Sequence, residues 1–122
     1  MKARVTQFIV TSSAVLSLLL LFSSEALSAT SPSFAIQAPA QGAVVNSPVI
    51  LQVEVQGAKI GQPLEGLDHL HLSVDGGSEI AIYQNGLLRL PLPPGKHTLF
   101  VELAGPTHEG LLPPKSVTFT VR

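Results

Sequence analysis

The 122-residue chain reads as an all-β sandwich behind an apolar leader. Three observations carry that reading. Ten Pro and ten Gly residues all fall after residue 29 and cut the chain into short segments. Within those segments apolar and polar residues alternate with a period of two, the mark of strands with one buried face. Outside the leader, no stretch repeats its apolar residues every 3.6 positions as an amphipathic helix would. About seven short antiparallel strands in residues 30–122 predict an immunoglobulin-like β-sandwich.

The leader comes first. Lys2 and Arg4 precede the run FIVTSSAVLSLLLLF at residues 8–22, which carries no charge, and Ser and Ala residues follow it. This is the layout of a secretory signal peptide, with cleavage expected after Ala26 or Ala29. The run falls short of the roughly 20 residues that a membrane-spanning helix needs. Residues 1–29 are therefore read as a signal peptide. Residues 30–122 are read as the domain, periplasmic or secreted and free of the membrane once cleaved.

The first strand is expected at 34–37, followed by Pro39 and a turn at Gln41-Gly42. Residues 49–56 are the clearest strand, with Val49, Leu51, Val53 and Val55 on one face and Gln52, Glu54 and Gln56 on the other. A polar Gly/Pro loop spans 57–68. Residues 69–74 follow, with Leu70, Leu72 and Val74 inward and His69, His71 and Ser73 outward. After the turn at Asp75-Gly76-Gly77 come strands at 79–83, 87–92, 97–104 and 116–121. The fourth is closed by Gln84-Asn85-Gly86, the fifth by Pro93-Pro94-Gly95, and the sixth by a loop over 105–115. In an immunoglobulin-like order, the third, sixth and seventh strands share a sheet. The 57–68 and 105–115 loops then meet at one end.

Charge excludes one class of partner. Residues 30–122 carry five basic residues (Lys59, Arg89, Lys96, Lys115, Arg122) against seven acidic ones (Glu54, Glu65, Asp68, Asp75, Glu79, Glu102, Glu109), a net of −2. A nucleic-acid binder needs a basic stripe, which is absent. There is no cysteine, hence no disulfide framework. The G-x-S-x-G elbow, the P-loop and H-E-x-x-H are all missing, so an enzyme is not expected. With no Trp and a single Tyr, the aromatic platforms of carbohydrate recognition are also missing.

Three segments carry a resemblance: Pro39-Ala-Gln-Gly-Ala-Val44, Asp68-His-Leu-His-Leu-Ser-Val-Asp75 and Leu92-Pro-Pro-Gly-Lys-His-Thr-Leu99, with His108 before Pro113-Pro114. Together they resemble a family of small exported β-sandwich proteins of uncharacterised function, over about residues 35–122. More loosely, the Pro-x-x-Gly-Ala start and the Leu-Pro-Pro-Gly turn are similar to periplasmic copper-resistance domains of the CopC type. That likeness implies copper held by histidines.

The histidines are the candidate chemistry. His69 and His71 stand two apart on one strand, so their Cβ atoms share a face about 6.5–7 Å apart and both imidazoles can reach one ion. That face is expected to be open to solvent. Strand order brings His108 to the end where the third strand begins and sets Glu102 beside it. Glu102 is then an oxygen ligand or a carboxylate that orients a histidine. The expected metal ligands are His69, His71, His108 and Glu102. Residues 30–122 hold neither Cys nor Met, so imidazole and carboxylate point to Cu(II) or Zn(II). His97 has the parity of core residue Leu99 and is read as structural, bonded to backbone. The competing expectation is a metal-free interaction or accessory module that contacts an envelope protein through its loops or a sheet edge.

Overall fold

A computed structural model describes residue 3 and residues 31–122. The signal peptide and both cleavage points lie outside these residues. Among the described residues eight strands form in order: β1 (Ser33–Ala38), β2 (Val44–Val45), β3 (Val49–Gln56), β4 (His69–Val74), β5 (Ile80–Ile82), β6 (Leu87–Leu90), β7 (Gly95–Ala104) and β8 (Lys115–Val121). Seven match the expected strands to within two residues at each end. β2 is additional: two valines between Gly42 and Pro48 are too few to show a period.

The strands divide into two sheets, β1-β3-β6 and β2-β8-β7-β4-β5. As expected, β4, β7 and β8 share a sheet. The pairing is antiparallel except that β2 runs parallel to β8, a correction to the fully antiparallel expectation. Its cause lies in the first segment. β1 pairs with β3 until a register shift between Ile36 and Ala38. The chain then crosses to the other sheet, where Gly42 donates its N–H to the Thr118 carbonyl at 2.7 Å.

Between the sheets lies one apolar core. Leu51, Leu72, Leu99, Val101, Leu103, Val117 and Phe119 fill it with Phe34, Val49, Leu70, Leu90 and Val121. Val53, expected in the core, is only half-buried and packs against its margin. The strand alternation of β7 is strict: Leu99, Val101 and Leu103 are inward, and Thr98, Phe100 and Glu102 lie on the other face. In the 57–68 loop a short 3₁₀ turn at Pro63–Glu65 is closed by Gly66 in the left-handed conformation.

The β4–β7 ladder positions everything that follows. Its register sets His69 opposite Ala104, His71 opposite Glu102 and Val74 opposite Leu99. At the Val74 end the ladder is held by a second device. Asp75 adopts a left-handed φ of 54°. Its backbone N–H donates to the Thr98 carbonyl at 2.8 Å, and its Oδ1 accepts the Thr98 N–H at 2.7 Å. Asp75 Oδ2 stands 2.6 Å from His97 Nδ1, and the Pro93 carbonyl stands 2.7 Å from His97 Nε2. Both partners are acceptors, so both ring nitrogens donate and the imidazolium is the favoured form. The hydrogen bond that His97 donates to Asp75, then the one it donates to the Pro93 carbonyl, raise the His97 pKa above its ordinary 6.5. The bond to His97, then the Thr98 amide, lower that of Asp75 below 3.8. The expected structural role of His97 is the one observed, with a backbone acceptor on one nitrogen.

Two outcomes follow from this arrangement. Leu72 is fully buried, so Leu72→Ala should cost about 2–5 kcal/mol in urea unfolding, the range for a large-to-small core change. Replacing His97 by Ala should destabilise the fold by removing two hydrogen bonds, each worth about 0.5–1.5 kcal/mol net because water can reach the acceptors left behind. That cost should vary with pH. A raised His97 pKa stabilises the fold fully below 6.5 and fades as pH rises through the folded value. A lowered Asp75 pKa stabilises it above 3.8 and fades as pH falls through the folded value. The gap between parent and His97→Ala should therefore be widest near pH 5 and narrower at pH 9.

Candidate metal centre

β4 would be an ordinary half-buried strand if its outer face met water. It does not. His69 is 0% exposed and His71 8% exposed, while Leu70 and Leu72 on the inner face are buried as well. The expectation of two solvent-facing histidines is corrected here: the face is right and its exposure is not. Tyr83 packs its ring 5.3 Å from that of His69, and His108 sets its ring 4.7 Å from His69 and 5.6 Å from His71. Parity names the face of a strand, but what covers that face is decided by loops elsewhere in the chain.

His108 is delivered by a tight loop between β7 and β8. Gly105 donates its N–H to the Glu109 carbonyl at 2.8 Å, His108 to the Gly105 carbonyl at 2.9 Å, and Leu111 to the Leu103 carbonyl at 2.9 Å. Inside the loop the Glu109 carboxylate accepts both the backbone N–H and the hydroxyl of Thr107. His108 itself sits at φ 65°, a left-handed conformation uncommon for a side chain of its size. The loop thus holds His108 in a costly conformation that aims its ring at β4.

The result is a triangle of nitrogens. His69 Nε2 lies 2.9 Å from His71 Nε2 and 3.0 Å from His108 Nδ1, and His71 Nε2 lies 3.4 Å from His108 Nδ1. Among the described residues these three form the only cluster of His, Cys, Asp or Glu with ligand atoms close enough to share an ion. Burial, then the neighbouring His71 and His108, push the His69 pKa below 6.5, against the pull of Asp68 and Glu109. His69 is therefore neutral near pH 7, the form that ligates a metal.

Glu102 is held outside the triangle. Its Oε1 lies 3.6 Å from His71 Nδ1, the opposite edge of the ring from the shared nitrogens. A second carboxylate, absent from the expected set, approaches the same nitrogen: Glu79 Oε2 at 3.4 Å. The signal for Glu79 and Tyr83 was present in the hairpin register. β5 pairs Ala81 with His71, so residues 79, 81 and 83 share the histidine face, and the small Ala81 leaves room for the imidazole. Glu79, Glu102 and His71 border a recess of about 160 Å³. A larger recess, about 630 Å³ beside Gln37, Gln52 and Glu54, belongs to the three-stranded sheet and has no histidine in its lining.

Comparison with solved structures returns the same architecture. The chain is similar to the Clostridium thermocellum CbhA fibronectin(III)-like modules, at a TM-score of 0.55 and 15% identity over 74% of this chain and 97% of that one. The fold is that of an immunoglobulin-like β-sandwich. A partial match to the Cellulomonas fimi endo-beta-1,4-mannanase double mutant has a TM-score of 0.43 and 21% identity over 75% of this chain and 18% of that one, and carries no argument. No protein-family model and no curated protein matches the chain. These comparisons assign no family, and none points to the copper-resistance domains. Among the described residues, no helix is long and apolar enough to cross a membrane.

The loop geometry can be probed at Gly105. A Cβ built there would overlap the Glu109 carboxyl, and that carboxyl is what fastens Thr107. Gly105→Ala should displace Glu109, loosen His108 and raise the B-factors of residues 106–109 in a crystal structure. The sandwich core, which does not use this loop, should be unchanged.

Proposed function

We propose that this chain is an exported β-sandwich module that holds one divalent ion, Cu(II) or Zn(II), on His69 Nε2, His71 Nε2 and His108 Nδ1. The single observation behind this reading is the nitrogen triangle. Protons alone serve it poorly. A hydrogen bond needs a donor facing an acceptor, and each vertex presents either an N–H or a lone pair. However the protons are assigned, at least one side of a triangle joins two donors or two acceptors. A cation at the centre resolves this, because it takes all three lone pairs at once.

The remaining nitrogens fit the same picture. Nδ1 of His69 and of His71 are buried with no hydrogen-bond partner. Ligation through Nε2 places the ring proton on Nδ1, and in His71 that proton faces the carboxylates of Glu79 and Glu102. Such outer carboxylates fix the tautomer of a ligating histidine and raise its basicity. Glu102 therefore serves as an orienting partner of His71. Nitrogen donors without thiolate or thioether suit Cu(II) and Zn(II), and the general ordering of divalent ions places Cu(II) first in affinity.

A metal-free interaction or accessory module of the cell envelope is the alternative, and the sandwich fold alone accommodates it. Titration separates the two. The purified protein should bind one equivalent of Cu(II), and Zn(II) more weakly, in calorimetry. A ligand present at a hundredfold excess over Kd should add about 2.7 kcal/mol to the unfolding free energy. The His69→Ala/His71→Ala double variant should lose both effects. Equal Cu(II) binding by that variant, or stability indifferent to metal and chelator, would leave the interaction module as the reading.

A further inference from the structure

We propose that the ion bound at this centre keeps one exchangeable position, open to water or to a small monodentate anion. This rests on the metal reading above and concerns what the ion can do once bound.

The argument starts from the size of the triangle. Sides of 2.9, 3.0 and 3.4 Å are too short for an ion lying in the plane of its donors. With metal–nitrogen bonds of about 2.0–2.1 Å, a planar set would need nitrogens about 3.5 Å apart. At the observed separations an ion would stand about 1 Å off the plane, with angles of about 90–112° between its bonds. All three protein donors would then lie on one side of it, leaving the opposite side for a further ligand.

Among the described residues, no carboxylate, thiol or further imidazole joins the three nitrogens. Glu79 and Glu102 address the far edge of His71. The Glu109 carboxylate is engaged by the N–H and hydroxyl of Thr107. Residues 30–122 contain no sulfur ligand. His108 is exposed, so one of the three rings meets solvent.

Charge supports the same conclusion. Three neutral imidazoles leave the full +2 of the ion without a directly bound anion. Zinc sites that only brace a fold are closed by four protein ligands, whereas those that bind or activate a small molecule keep three and leave one place open. The class of ligand is thus a water or hydroxide in the resting state, replaceable by an anion of one or a few atoms.

Co(II) supplies the test, because its visible bands report coordination number and ligand exchange. The purified protein is stripped with chelator, loaded with one equivalent of Co(II), and titrated with sodium azide. The expected result is a saturable shift of the bands with one azide per Co(II) and with the metal retained on the protein. Bands that form and then ignore azide would overturn the open position while sparing the metal site. Bands that vanish as Co(II) is released would overturn it too, since the anion would be stripping the ion instead of joining it. Failure of Co(II), Zn(II) and Cu(II) alike to bind would overturn the metal reading and this inference with it.

Discussion

Burial of β4 on both faces is the constraint from which the rest of the structure follows. A strand between a core and solvent needs apolar residues on one side only. In β4 the inner face, Leu70 and Leu72, is buried in the core, and the outer face closes on imidazoles under the β7–β8 loop. Buried polar groups are costly unless they find partners. The covering loop therefore has to bring chemistry as well as cover, and His108 is what it brings. The left-handed backbone at His108, the Glu109–Thr107 fastening and the short Gly105 turn all serve that delivery.

Much of this was legible in the sequence because strand alternation is a local rule. Leu51, Leu70, Leu72 and Leu99 were placed on the inner side by parity alone, and they are in the core. Parity also put Glu102 on the histidine face, and strand order put His108 at the right end. What parity lacks is the third dimension above a sheet. It says that His69 and His71 point away from the core. It does not say that a loop 39 residues further on folds over them. Nor does it say which edge of a ring a carboxylate reaches, so Glu102 could be set beside His71 but not assigned to Nδ1. Glu79 and Tyr83 fall in a different class. Their positions follow from hairpin register between β4 and β5, which could have been counted from the turn at Asp75-Gly76-Gly77.

The absence of cysteine gives the two histidine devices added weight. A small sandwich without a disulfide relies on its core and on whatever links distant segments noncovalently. The triangle joins β4 to a loop far along the chain, and the Asp75–His97 pair joins the β4–β5 turn to the start of β7. Both are built from imidazole in opposite states. One ring favours the imidazolium, with acceptors on both nitrogens. The others meet nitrogen to nitrogen, so that on at least one side two donors or two acceptors face each other.

These devices sit at opposite ends of one strand pair, about 13 Å apart along the strand at their nearest members, His71 and Asp75. They share no residue. Changes at the two ends should accordingly combine without epistasis. For a lineage under selection this is a useful separation. The Asp75 end makes its bonds without the β7–β8 loop, so that loop can exchange its donor while the turn at Asp75 keeps its hold on β7. Diversification of such a protein would then be written in residues 105–114, while the turn at Asp75 stays as it is.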